Sequence, residues 1–155
     1  MLTTTLDGLW VLQVLSGVEV LAPELGLRPH LPSVESPQAA LAHPAATELS
    51  AAGVIDAAGA VDQTVLEWLT VLSRRDVALL VYVQTPTADA EQERILLARF
   101  AHWWVTLERY GSQVRLSGAG SASSEQSAGR LIAAEIERLC GQMPPAAMKP
   151  VTVAV

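Results

Sequence analysis

The run Val77–Val83, VALLVYV, places the tightest limit on what this chain can fold into. Its seven apolar residues are too few to cross a bilayer, which takes about 20 in a helix. Asp76–Gln84 therefore reads as a strand. Side chains alternate across a strand, and here both sets are apolar: Val77, Leu79, Val81 and Val83 against Ala78, Leu80 and Tyr82. Such a strand is expected to be buried on both faces, by helices, by another sheet or by a partner.

The flanking segments supply helices and further strands. Leu6–Ser16 carries Leu6, Leu9, Trp10, Val14 and Leu15 at helical spacing, with Thr5 or Asp7 as cap and strand propensity in Thr3–Thr5. Pro23, Pro29, Pro32 and Pro37 then punctuate an irregular stretch. Ser36-Pro37 is a helix start; that helix runs towards Ala52, is kinked or split by Pro44, and stops at Gly53. Asp62 caps a helix whose stripe is Val61, Val65, Trp68, Leu69 and Leu72. Thr85–Gln92 reads as a polar loop. Arg94–Tyr110 is balanced between helix and strand. Trp103, Trp104, Val105 and Thr106 are strand formers, and Gly111-Ser112 suits a tight turn into Gln113–Ser117. The expectation is two strands, Arg94–Phe100 and His102–Arg109. Ser123 to Gln126 fits a capping box, opening a helix with Ala128, Leu131, Ile132, Ile136, Leu139 and Cys140 on one face and Gly141 at its end. Val151–Val155 has the pattern of a strand.

Composition narrows the function classes. With 50% hydrophobic and 17% charged residues, the chain can bury a core and is expected to form one domain, 1–155. A net charge of −6 and scattered arginines argue against nucleic acid, which calls for clustered cations. Cys140 is the only cysteine, so no intramolecular disulfide can form. The first basic residue is Arg28, which leaves a secretory signal without its charged start. The reading is a cytoplasmic protein with no membrane span.

Chemistry-bearing patterns are weak. His30, His43 and His102 lie far apart and lack ligand spacing. Glu91, Glu93, Glu108 and Glu125 form no pair fixed by spacing, and no serine sits in a nucleophile elbow. Cys140 falls on an apolar helix stripe, where a thiol packs. Gly118-Ala119-Gly120, read as a turn between strand and helix, offers the alternative of a nucleotide- or small-molecule-binding enzyme domain using Gly118–Ser123. That turn holds Ser123 where a third glycine is required. Adjacent Trp103 and Trp104 in one strand must point to opposite faces, so one of them faces away from the main core, towards a helix layer or a partner.

Eight collinear pieces carry a resemblance: DGLWVLQVL (Asp7–Leu15), APELGLRPHLP (Ala22–Pro32), AHP (Ala42–Pro44), AAGVID (Ala51–Asp56), VLSRRDVALLVY (Val71–Tyr82), LLARFAHWWV (Leu96–Val105), IERLCG (Ile136–Gly141) and PAAMKPVTV (Pro145–Val153). Together they resemble the EspG family, cytosolic chaperones of mycobacterial type VII (ESX) secretion systems. The pattern is most similar to the member of the first-numbered system. The resemblance implies an α+β fold, an antiparallel β-sheet packed against α-helices, built in the family as two similar halves about a quasi-two-fold axis. It implies binding of PE–PPE heterodimers to support their export, with no catalysis, cofactor or metal.

The family docks its client on the sheet, on a loop between two strands and on helices of the C-terminal half. Here that loop falls at Gln84–Glu93, so Gln84, Thr85, Pro86, Thr87, Asp89 and Glu91 are the partner-binding candidates, with Trp103 added from its place on the sheet. Family members are about twice this length, and the chain reads as the N-terminal half. A half that loses its pseudo-symmetric mate exposes apolar surface, so a homodimer is expected.

Overall fold

The computed structural model describes residues 1–83, 93–141 and 147. β1 (Leu2–Thr5) leads directly into α1 (Leu6–Ser16), and the Thr5 hydroxyl caps that helix by accepting from the Gly8 amide. Gly17, at φ 69°, closes it. The proline-rich stretch contributes one short 3-10 turn, Pro23–Leu25. It is clasped by Glu35, which accepts from Arg28 at 2.5 Å and from the Leu31 amide at 2.8 Å and lies 2.7 Å from His30 Nδ1.

Pro44 splits the next helix rather than kinking it. α2 (Pro37–Leu41) ends at Ala42, and α3 (Pro44–Ala51) restarts with His43 as cap. The proline ring denies α2 an amide and disfavours helical backbone in the residue before it. α4 (Gln63–Arg74) starts on Asp62, whose carboxylate accepts from the Thr64 and Val65 amides.

Among the described residues five strands form one fully antiparallel sheet in the order β1-β5-β4-β3-β2. β2 is Val77–Val83, β3 Glu93–Phe100, β4 Trp103–Tyr110 and β5 Gln113–Ser121. The ambiguous segment is two strands joined at Ala101-His102, where Ala101 adopts φ 55°. Gly111-Ser112 makes the following turn, with Gly111 at φ 57°. α5 (Glu125–Cys140) then crosses the sheet.

Alternation along the strands gives the sheet two unlike faces. Leu2, Leu96, Ala98, Val105, Leu107, Val114 and Leu116 face α1 to α4 and join Leu9, Leu12, Leu69 and Leu72 in one large core. Each fully buried leucine there contributes about 2 kcal/mol. The other face holds a small cluster of Leu97, Trp104 and Ala122, against which Ala128, Leu131 and Ile132 of α5 pack.

Four expectations are corrected. β2 is not buried on both faces. It is an edge strand whose residues alternate between half-buried and exposed, with Leu80 37% and Tyr82 52% exposed. The helices of the large core stop short of it, so apolar composition did not guarantee cover. Gly118-Ala119-Gly120 is not a turn. β5 continues to Ser121, and Trp104 pairs with Gly120 while Val105 pairs with Gly118, which makes Ala119 the extra residue of a β-bulge. The capping box belongs to Ser124 and Ser127, one residue later than Ser123 and Gln126, because Ser124 is the residue with extended backbone (φ −139°, ψ 160°). The apolar stripe of α5 is buried only in part: Ile136 is 43% exposed and Cys140 is exposed rather than packed. Polar contacts take over there. The strand expected at Val151–Val155 lies outside the described residues.

Candidate docking surface

The functional question falls on the margin of the α1–α4 face of the sheet, which those helices leave uncovered. Phe100 and Trp103 face each other across β3 and β4, on the same side as Leu80 and Tyr82 of β2. Trp103 is 55% exposed, whereas Trp104 is buried under α5. The tryptophan pair thus splits as alternation requires, one for a helix layer and one for solvent. Trp103 lies against His102, ring centroids 4.9 Å apart. Behind it opens a cleft of about 620 Å³ between α4 and the strand ends, lined by Trp68, Phe100, Trp103, Leu66 and Val71. Gly118 lets Trp68 approach, since a methyl group there would lie 3.0 Å from the indole nitrogen.

The other sequence candidates, Gln84, Thr85, Pro86, Thr87, Asp89 and Glu91, lie outside the described residues. Their flanks are placed: β2 ends at Val83 and β3 begins at Glu93, side by side. Trp103 sits at the opposite end of β3, a strand length of about 25 Å away. The structure therefore places Trp103 far from the flanks of that segment. Leu80 and Tyr82 connect the two ends instead. The sequence reading missed them as surface residues because it took their strand as covered on both sides. Tyr82 was the available signal, a polar handle in an otherwise aliphatic run.

The α5 side is held by ions. Glu108, wholly buried on β4, accepts from Arg138 of α5 at 2.7 Å, from Arg115 at 3.4 Å and from the Tyr110 hydroxyl. Thr106 donates to Glu135 at 3.0 Å, and Arg138 also reaches Glu135 at 3.0 Å. Burial, reinforced by the bond to Glu108 and its charge, pushes the Tyr110 phenol up to about 12. Burial pulls the Arg138 guanidinium down, but bonds and charge from Glu135 and Glu108 outweigh it and hold it above its ordinary value. The carboxylate is neutralised by arginines and lies under a helix, so the arrangement ties α5 to the sheet. Among the described residues no group of three or more His, Cys, Asp or Glu is disposed to hold a metal ion. His30 is bound to Glu35, and the His43 ring accepts from the Ala45 amide. Among the described residues no helix is long and apolar enough to cross a membrane.

The described residues thus form an antiparallel sheet backed by helices, with one long edge strand exposed. The chain belongs to the EspG family, whose model matches residues 5–155. It is 55% identical over 153 residues to the ESX-2 secretion-associated protein EspG2 of Mycobacterium tuberculosis, in strains CDC 1551/Oshkosh and H37Rv. The match takes in 99% of this chain and 55% of each relative. The chain thus spans about half the length of the curated relatives it matches, and these belong to the second-numbered rather than the first-numbered ESX system. Its fold is similar to that of the M. tuberculosis type VII secretion chaperone EspG5, solved in complex with a PE25–PPE41 dimer. The TM-score is 0.65 at 24% identity, over 95% of this chain and 54% of that one.

Proposed function

We propose that this chain is the N-terminal half of a two-half type VII secretion chaperone that binds a PE–PPE heterodimer in the cytosol and catalyses nothing. The observation that carries the reading is the uncovered apolar margin of the sheet, Leu80 and Tyr82, in a chain of the EspG family. A margin of this kind suits a protein client, because aromatic and aliphatic anchors beside open backbone give both affinity and register. The EspG5 relative, with its PE25–PPE41 dimer, supplies the class of client. Gln84, Thr85, Pro86, Thr87, Asp89 and Glu91 extend the docking surface beyond Val83. Trp103 supports a second contact at the far end, so a client that touches both lies along β2 and β3.

Co-expression with a PE–PPE pair from an ESX-2 locus tests this. A ternary complex that survives gel filtration, weighed by light scattering and weakened by Tyr82→Ala, is the expected result. Failure of the folded chain, and of a full-length relative, to retain any PE–PPE pair would overturn the reading. The nucleotide alternative loses its geometric basis, because its glycines lie in a strand bulge and α5 begins only at Glu125.

A further inference from the structure

Among the described residues nothing pairs with the outer edge of β2 or covers it. The sheet of the described residues ends there, and among them β3 is its one partner. Natural edge strands are blunted by lysine, proline, a bulge or brevity. Val77–Val83 has no lysine, proline or charge, and the register shift in the sheet lies between β4 and β5 instead. The opposite edge, β1, is only Leu2–Thr5 and is rich in threonine. Of the two edges, β2 is the longer and the more apolar.

We propose that β2 pairs antiparallel with β2 of a second copy about a two-fold axis through Leu80, joining two five-stranded sheets into one. The strand is suited to its own copy in three respects. It carries no charge, so a two-fold contact sets no like charges against each other. Centred on Leu80, the pairing sets Ala78 opposite Tyr82 and Leu79 opposite Val81, and residues of like face meet. A slip of one residue would break that match. Leu80 and Tyr82 from both copies then lie together on the side facing the helices, where each copy alone leaves them 37% and 52% exposed. The contact is isologous and closes at two, because it uses up the edge.

The second copy holds the edge only while no client is bound, so the test is the solution mass of the chain without any client, which stands apart from the secretion reading. Light scattering at micromolar concentration is expected to give twice the 16.4 kDa of one chain. Leu80→Lys places two ammonium groups at the axis and is expected to return the mass to one chain with an unchanged circular dichroism spectrum. The register is tested by a pair of double variants. A78E with Y82K sets opposite charges across the axis and keeps the dimer, whereas A78E with Y82E breaks it. A monomeric wild-type chain, a dimer indifferent to Leu80→Lys, or an open-ended series of masses would each overturn the proposal. So would a monomer whose PE–PPE binding, but not its own association, responds to Leu80→Lys. That result would give the edge to the client.

Discussion

The two faces of the sheet are held by different physics. On one, α1 to α4 bury Leu9, Leu12, Leu69 and Leu72 against Leu96, Leu107 and Leu116 with almost no exposure. On the other, no residue of α5 is fully buried. That helix is fastened by a small apolar contact at its first half and by Glu108, Glu135 and Arg138 at its second. A dry contact loses free energy with every atom removed. An ionic clasp depends on a few groups, and losing one leaves the others uncompensated. The same sheet therefore carries one layer held by a sealed core and one whose hold rests on a few groups.

The comparison can be broken most sharply by truncating one leucine on each side. Leu72→Ala is expected to cost about 3 kcal/mol of unfolding free energy, because the site is sealed and leaves a cavity. Leu131→Ala, at a partly buried site, is expected to cost about 1 kcal/mol. Urea denaturation measures both, and equal losses would mean that α5 belongs to the same core. The next effect is Glu108→Ala, expected at about 2 kcal/mol, since Arg138 and Arg115 can turn partly to water. Its signature is local: amide exchange in Glu125–Cys140 accelerates while that of Leu6–Ser16 stays slow. Acceleration in both helices would remove the distinction between the layers.

The smallest effect is a pH dependence on the dry side. The bond from the Leu31 amide, with those from His30 and Arg28, holds the Glu35 carboxyl at about 2, below its ordinary 4.5. A carboxyl depressed on folding stabilises fully above its unfolded value and loses that contribution as pH falls through the folded one. The clasp around Arg28–Glu35 is thus expected to weaken between about pH 4.5 and 2. Glu35→Gln should flatten the thermal-midpoint profile in that window, and a profile unchanged by Glu35→Gln would refute the assignment.

What could be read from the sequence follows the same division. Caps, breakers and the stripe of α4 were legible because each acts through a few neighbouring residues: Thr5, Asp62, Pro44 and Gly53 decide locally. The split of Trp103 and Trp104 followed from alternation alone. Edge position was not legible in β2, because an apolar strand says what it would bury and not whether a helix reaches it. The bulge at Gly118–Gly120 was hidden for a related reason: two glycines look alike in a loop and in a strand that must step past one extra residue. The charged seam beneath α5 was missed because Glu108, Glu135 and Arg138 meet only after β4 and the helix are stacked. The candidate segment Gln84–Glu91 came from family resemblance, and Leu80 and Tyr82 from the structure alone.

Gly118 has a consequence for how this chain can vary. The indole of Trp68 rests where a side chain would otherwise project from β5, so its seat depends on one missing methyl group. Alanine at that position would push the Trp68 indole aside by a few tenths of an ångström and reshape the hollow behind Trp103. The emission colour of Trp68 would report it. The hollow's dimensions are thus inherited through a position that has no side chain of its own.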